Sequence, residues 1–282
     1  MSNILLQTIG DASGRWTIGR FSLLTGLLSH LRDRQGRLAF QVRARDRAVR
    51  GRPDPLLSRL HESCVDQLWL LATGDDGLTP EDCAGIRRFR RLGGNLMVAP
   101  GHMASVRSFG DLGGAEAAYR FDGRNPDREL TAGGLELPRP PADARADHDS
   151  GADGGFRRVR SVGNIHPVMR DRHSPTGVIQ YLPSHPHEHA LSVPCGVATA
   201  RVIVDGHSAA TGQRFNIAVA FERSERGGRA IAQSSVHHFA DDNWHPRAGT
   251  VSEPAGDGMA RFPEALRSTQ QYVRNVAFWL SG

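Results

Sequence analysis

Two nearly continuous apolar runs, Asp66–Ala72 and Asn95–Ala99, constrain the fold of this chain more than any other feature of its sequence. Such runs are typical of central parallel strands that are covered on both faces. Between them, Thr79–Asp82 combines a threonine N-cap, a proline at the first helical position and two acids, which together mark a helix start. The Gly93-Gly94 pair marks the end of that helix. A strand, a helix and a second strand in this order predict a right-handed crossover in a parallel sheet.

The remaining apolar patterns extend this α/β prediction along the chain. The predicted strands are Asn3–Thr8, Leu38–Val42, Gly177–Leu182, Ala200–Val204, Phe215–Phe221 and Arg229–Ser235, and the predicted helices are Ile18–Leu31, Pro55–Leu60 and Pro263–Leu280. The strands Ala200–Val204 and Phe215–Phe221 are expected to form a C-terminal β-hairpin extension. The rest predicts a mostly parallel, doubly wound sheet whose functional site lies at the carboxyl ends of the strands.

One segment, at about 122–160, lacks such patterns. It is rich in Gly, Pro, Asp and Arg and has almost no apolar periodicity. We expect a flexible insertion there, within a single domain that spans residues 1–282.

Composition limits the compartment and the partners of the chain. Three cysteines in 282 residues give no disulfide framework, which favours the cytoplasm. Met1–Gly10 has no basic region typical of a signal peptide, and no later segment reaches about 18 apolar residues, so neither export nor a membrane span is expected. Eight arginines lie within Arg32–Arg52, but Phe40 is the single aromatic residue among them, which favours a solvated surface over a nucleic-acid-binding one.

Several segments resemble, in order, the ThuA-like (trehalose-utilisation) family of the class I glutamine amidotransferase-like superfamily. They are VDQLWLLATGDDGLTPEDCAGIRRFRRLGGNLMVAPGH from Val65, DLGG at Asp111–Gly114, IHPVM at Ile165–Met169, GRAIAQSSVHHFADDNW from Gly228, and PEALRSTQQYVRNVAFWL from Pro263. The resemblance implies a flavodoxin-like three-layer sandwich and a role in carbohydrate metabolism.

The same comparison argues against glutaminase chemistry. Glutamine amidotransferases carry a nucleophilic cysteine in a strand-to-helix elbow, whereas the corresponding strand exit here reads Ala99–Ala104 without a cysteine. Cys195 lies in a turn-like segment without a strong following helix, so nothing predicts a lowered pKa for its thiol. Cys64 and Cys83 flank the central strand and are interpreted as packing residues.

Histidines are the most informative chemical feature. In the segment Ser184–His189, an extended backbone would place His185, His187 and His189 on one side and Glu188 on the other, and we rank His187 first because its two neighbours could face solvent. A second group, His237-His238, ends a predicted strand and is followed by Asp241, Asp242 and Asn243.

If these strand ends meet, imidazoles and a carboxylate could bind zinc, manganese or iron. The tentative ligands are His187, Glu188 and His237. The catalytic candidates are His102, His187, His238 and Asp242, and the substrate-binding candidates are Trp244, Asn243 and His166. Without a metal the same histidines could act as general acid and base, and a third interpretation is that they only cap strands or bind loop backbone.

The leading hypothesis is a cytoplasmic enzyme that hydrolyses or isomerises a sugar or keto-sugar derivative. The alternative is a non-catalytic glutamine amidotransferase-like binding module. The expected partner is a sugar-like small molecule, neither nucleic acid nor membrane is expected as one, and a homo-oligomer is left open.

Overall fold

The computed structural model describes residues 1–10, 14, 16–74, 77–101, 106–119, 147–248 and 256–282. In chain order the described strands are β1 (Ser2–Ile9), β2 (Phe40–Asp46), β3 (Gln67–Ala72), β4 (Asn95–Pro100), β5 (Asp147–His148), β6 (Phe156–Arg158), β7 (Arg160–Ser161), β8 (Tyr181–Pro183), β9 (Glu188–His189), β10 (Ala200–His207), β11 (Arg214–Phe221) and β12 (Ala230–Gln233). The described α-helices are α1 (Ser22–His30), α2 (Pro80–Arg91), α3 (Asp241–Trp244), α4 (Gly258–Arg261) and α5 (Pro263–Trp279).

Eight strands form one mixed sheet in the order β2-β1-β3-β4-β12-β11-β10-β7. The first five are parallel to one another, and the last three continue the sheet with antiparallel pairs. The predicted hairpin is therefore confirmed as β10 and β11, which widen the sheet beyond β12. We call the edge at which β1, β3, β4 and β12 end the carboxyl edge, and the opposite edge the amino edge.

Alternating side chains of the parallel strands supply two separate cores, one on each face of the sheet. Leu6 and Trp69 belong to the core that also contains residues of α1 and α5, whereas Leu5 and Leu68 belong to the core that contains residues of α2. Helices thus cover both faces, as continuous apolar strands require. The fold is the flavodoxin-like α/β sandwich that the sequence predicts.

The start of α2 shows how local sequence fixes an element. Thr79 accepts a hydrogen bond from the backbone of Asp82, and the Asp82 carboxylate accepts one from the Thr79 backbone, so that both form a capping box. Asp82 is also buried against Arg47, at 2.7 Å. The predicted boundaries of this helix are confirmed.

A second helix start is capped from far along the chain. The carboxylate of Asp241 accepts hydrogen bonds from the backbone of Ser22 (3.0 Å) and Leu23 (2.9 Å), and from the Ser22 hydroxyl (2.6 Å). Asp241 therefore supplies the acceptor that the N-terminus of α1 lacks in its own sequence.

Two predicted elements are wrong. Pro55–Leu60 forms turns, followed by a 3₁₀ turn at Leu60–Glu62, because Asp54 accepts hydrogen bonds from the backbone of Leu56 and Leu57 and holds a tight bend. The strand predicted at Gly177–Leu182 is limited to β8, because Gly177 has a φ of +74° and closes a turn with Asp171.

The segment at about 122–160 is only partly described. Residues 120–146 lie outside the described residues, and the remainder contributes β5, β6 and β7, which pair with β9, β8 and β10. Among the described helices, none combines the length and the apolar content that crossing a bilayer requires.

Candidate functional site

The carboxyl edge carries the densest group of buried titratable side chains that we identify. After β12 the chain enters a 3₁₀ turn, Val236–Phe239, whose first backbone N–H groups are capped by Ser235. Helix α3 follows directly. The turn directs two adjacent histidines, His237 and His238, into different surroundings.

His237 belongs to a group with Asp153 and His185, which we call the histidine site. Its ring stacks on that of His185, with ring centroids 3.4 Å apart and planes inclined by 10°. Nδ1 of His185 lies 2.6 Å from Oδ1 of Asp153. One potential ligand atom from each of the three side chains lies within 4.8 Å of the other two.

The His237 ring is held from its other side by an aromatic neighbour. Trp16 contacts it edge-on, at 4.7 Å between centroids. Nδ1 of His237 is buried and has no hydrogen-bond partner among the described residues. Burial, together with the charges of His185 and His238, lowers the pKa of His237 well below its ordinary value, so the ring is neutral at neutral pH.

Arg20 and Asp242 lie beside this group. The Arg20 guanidinium stacks over Trp16 at 4.6 Å and forms an ion pair with Asp242 at 3.1 Å. Burial raises the pKa of Asp242, the charge of Arg20 opposes this shift and the charge of Asp153 adds to it. Oδ1 of Asp242 is buried and has no hydrogen-bond partner among the described residues.

Asn243 ties the parts of the histidine site together. Its amide nitrogen donates to the carbonyl of His237 at 2.9 Å and lies 3.5 Å from Oδ1 of Asp153. Its amide oxygen accepts from the backbone N–H of Gly154. Gly154 has a φ of +70° and leaves no room for a Cβ, which would lie 2.2 Å from the backbone nitrogen of Gly256.

His238 belongs to a second, fully buried group with Ser150, Arg157, Glu188 and Ser234, which we call the Glu188 network. Arg157 faces both carboxylate oxygens of Glu188 at 2.6 Å, Ser234 donates at 2.7 Å, and Nε2 of His238 lies 3.2 Å away. Ser150 donates to the other oxygen. Burial alone would raise the pKa of Glu188, but the charges and hydrogen bonds of Arg157 and His238 outweigh it and hold that pKa far below its ordinary value.

The ring of His238 is oriented by a chain of hydrogen bonds. The Tyr272 hydroxyl donates to the amide oxygen of Gln233 at 2.7 Å, which leaves the amide nitrogen to donate to Nδ1 of His238 at 2.8 Å. On the other side of the ring, Nε2 lies 3.0 Å from the guanidinium of Arg157 and 3.2 Å from the carboxylate of Glu188. Burial lowers the pKa of His238 despite the neighbouring carboxylate.

Two other predicted site residues, His187 and His166, are not members of the three-residue histidine site. His187 is exposed beside it, with its ring centroid 5.9 Å from that of His185. His166 is buried at the amino edge, where it contacts Trp279 at 4.8 Å and lies 3.5 Å from Glu222. Burial and two nearby arginines lower its pKa to about 4. His102 lies outside the described residues.

Three further predictions change in detail. Glu188 has both carboxylate oxygens occupied within its own network, so we no longer assign it as a metal ligand. The indole of Trp244 is buried and donates to the carbonyl of His238 at 2.8 Å, which favours a loop anchor over a sugar-stacking platform. The expected alternation of Ser184–His189 is wrong, because β9 is only two residues long and both Glu188 and His189 are buried.

Sequence reasoning missed Asp153, Arg157, Trp16 and Arg20, and it ranked His185 below His187. Asp153 and Arg157 lie in a segment that had no apolar periodicity, so no pattern pointed to them. For Trp16 and Arg20 the available signal was their position after the first strand, because ligands of such sheets bind outside the carboxyl ends of the strands.

Neither the cysteines nor the groove at the amino edge is a better candidate functional site than the histidine site. Burial raises the pKa of the Cys83 thiol, and Cys64 and Cys195 precede β3 and β10 at the amino edge. A groove of about 660 Å³ also lies at the amino edge, next to Asp33, Asp66 and Arg223. Ligands of open parallel sheets bind outside the carboxyl ends of the strands, which favours the histidine site.

No protein-family model matches the sequence, and no curated protein matches it either. Among solved structures, the mmIFT52 N-terminal domain matches with a TM-score of 0.51 and 16% identity, over 99% of this chain and 97% of that chain. A ThuA-like protein from Bacteroides uniformis ATCC 8492 matches with a TM-score of 0.46 and 11% identity, over 99% and 91%. The glutaminase domain of Trypanosoma brucei CTPS matches with a TM-score of 0.39 and 12% identity, over 97% and 94%.

At such identities the likeness shows the fold alone. The chain has the three-layer α/β fold, with its candidate site at the carboxyl edge of the sheet.

Proposed function

We propose that the chain is an enzyme that hydrolyses or isomerises a sugar or keto-sugar derivative at the histidine site. The observation that carries the proposal is the convergence of Asp153, His185 and His237 at the carboxyl edge, with a buried Nδ1 on His237 that has no hydrogen-bond partner among the residues the structure describes. Such a nitrogen is unfavourable for folding alone, since buried polar atoms are ordinarily paired. The sequence resemblance to the ThuA-like family supports the choice of substrate class.

The chemistry of the side chains suits these reactions. Hydrolysis and isomerisation both need a group that accepts or donates a proton, or that polarises a carbonyl, and imidazoles do either as bases or as metal ligands. The two rings have unlike surroundings, because His185 is paired with a carboxylate whereas His237 is neutral and packed against Trp16. Arg20, Asp242 and Trp16 border the site and supply polar and aromatic contacts of the kind that bind sugars.

The test is a turnover screen with acylated sugars, aldoses and ketoses, followed by nuclear magnetic resonance. We expect at least one of these classes to be converted, and His185→Gln and His237→Gln each to lower the rate by about 10²–10⁴-fold. His173→Gln is the matched control, because His173 is exposed and its hydrogen bonds are with Arg172 and Asp171, which are not residues of the site. Thermal unfolding of each variant checks that the fold is retained.

Two results would contradict the proposal. If a sugar binds without being converted, the chain is a binding module. If conversion continues unchanged in both site variants, the reaction takes place elsewhere on the molecule.

A further inference from the structure

We propose that Asp153, His185 and His237 bind one divalent transition metal ion, of the class of zinc, manganese or iron. The inference rests on the proposed function for the role of the metal, because it concerns the same site. Metal binding itself is measured without any sugar.

The fold brings the three side chains together from separate segments. Asp153 follows β5, His185 precedes β9, and His237 follows β12. Their potential ligand atoms lie within 4.8 Å of one another. Side-chain movements of about an ångström would therefore allow one zinc ion to lie roughly 2.0–2.2 Å from an atom of each side chain. The backbones of the two histidines are held by serine hydroxyls: Ser150 accepts from the backbone N–H of His185 at 2.9 Å, and Ser235 accepts from that of His237 at 3.2 Å.

An independent observation points to a ligand at this place. His237 is packed between His185 and Trp16, and its Nδ1 is buried with no hydrogen-bond partner among the described residues. Oδ1 of the neighbouring Asp242 is in the same condition. A bound cation would accept electron pairs from these two atoms. A cluster with only a structural role does not explain why they lack hydrogen-bond partners there.

The donor set selects the class of metal. Two imidazole nitrogens and one carboxylate oxygen suit zinc, manganese or iron, whereas calcium and magnesium prefer oxygen ligands alone. Three protein ligands leave at least one position for water or substrate, which is typical of catalytic rather than structural zinc sites.

The surroundings orient the ligands. The Asn243 amide lies next to Oδ1 of Asp153 and bonds to the carbonyl of His237, so one side chain positions two of the three ligands. Glu188 is not available as a fourth ligand, since Arg157, Ser150 and Ser234 occupy its oxygens. His185 and Asp153 are already in contact, with Nδ1 of the ring 2.6 Å from Oδ1 of the carboxylate.

The experiment is calorimetric titration of the chelator-treated full chain with zinc, repeated with manganese. We expect one ion per chain. Cobalt provides a second readout, because its visible absorption reports coordination by nitrogen and oxygen ligands in the site.

The variants are Asp153→Asn, His185→Gln and His237→Gln, with His173→Gln as the matched control. We expect each of the first three to weaken binding by at least 10-fold and to change the cobalt spectrum, and the control to bind as the original chain does. Asp153→Asn preserves the shape of a half-exposed side chain, so it tests the site even if a histidine variant is unstable.

Binding that is absent, or that is equally strong in all variants, would overturn the metal site. Conversion of a sugar by metal-free protein would overturn its catalytic role while leaving the proposed function intact. Metal binding without conversion of any sugar would overturn the proposed function and leave the metal site intact.

Discussion

The two histidines that follow β12 are adjacent in sequence and differ in almost every physical respect. His238 lies in the Glu188 network, where Gln233, Glu188 and Arg157 surround its two ring nitrogens. His237 lies in the histidine site, where Nδ1 has no hydrogen-bond partner in the part of the chain that the structure describes and the ring is stacked on His185. The two adjacent rings therefore differ in how many polar groups contact their nitrogens.

The two groups therefore have different roles at the carboxyl edge: the Glu188 network supports the backbone, and the histidine site carries the proposed chemistry. The Glu188 network joins β9, the segment after β12, and β6, and so fixes the backbone that carries His237 and His185.

Glu188→Gln should produce the largest loss of stability. The substitution removes the negative charge that pairs with buried Arg157, and breaking a buried ion pair costs about 3–5 kcal/mol. Chemical denaturation measures the free energy of unfolding, and Glu225→Gln is the matched control on the surface, where we expect a change below about 1 kcal/mol. Equal effects of the two substitutions would show that the network is not the support of the site.

The stability due to Glu188 should depend on pH. Because the pKa of Glu188 is lower in the folded than in the unfolded chain, its contribution is complete above the unfolded value of about 4.3 and is lost as the pH falls below it. The difference in unfolding free energy between the original chain and Glu188→Gln should therefore be constant from pH 7 to 5 and shrink towards pH 3. A difference that grows on acidification would contradict this assignment.

His238→Leu should cost about 2–3 kcal/mol of unfolding free energy. The substitution leaves the Gln233 amide nitrogen without its buried acceptor and removes one of the polar contacts of Glu188. The measurement is again the denaturation midpoint, with an unchanged slope as the sign of two-state unfolding. An unchanged free energy of unfolding in this variant would mean that His238 does not stabilise the fold as part of the Glu188 network.

Asn243→Ala should affect both regions, but less strongly. Loss of the hydrogen bonds to the backbone of Gly154 and His237 should cost about 1–2 kcal/mol. If the histidine site binds a metal, the same substitution should weaken binding by about 10–100-fold, because it removes the group that orients Asp153. Calorimetry of the folded variant separates the two effects.

His237→Gln should have the smallest effect on stability, below about 1 kcal/mol, because within the described parts of the chain its Nδ1 has no hydrogen bond to lose. A loss as large as that of His238→Leu would remove the distinction between the two histidines and would make His237 a structural residue.

The sequence was sufficient for the scaffold because the parallel strands and α2 are specified locally. The apolar runs of β3 and β4 and the capping box of Thr79 and Asp82 are readable within a few residues. Hydrophobic periodicity then determines which face each residue covers.

The site was only partly predictable because its members are far apart in the chain. His237, Asp242 and Asn243 follow a strand end, which the sequence shows. Asp153 pairs with His185 across 32 positions and comes from a segment rich in Gly and Asp, so no local pattern could indicate that contact. Pairing of β5 with β9, which buries Glu188, is equally non-local, and it explains why the alternation predicted for Ser184–His189 fails.

Because Asp241 caps α1, the site is completed late in the synthesis and folding of the chain. Residues 22 and 241 are separated by 219 positions, and the same short helix that caps α1 also carries Asp242 and Asn243. During synthesis, the first helix must therefore wait for the last part of the chain before its N-terminus is satisfied, and contacts of such large sequence separation form slowly. A chain interrupted before this point would contain most of the parallel sheet and none of the completed site.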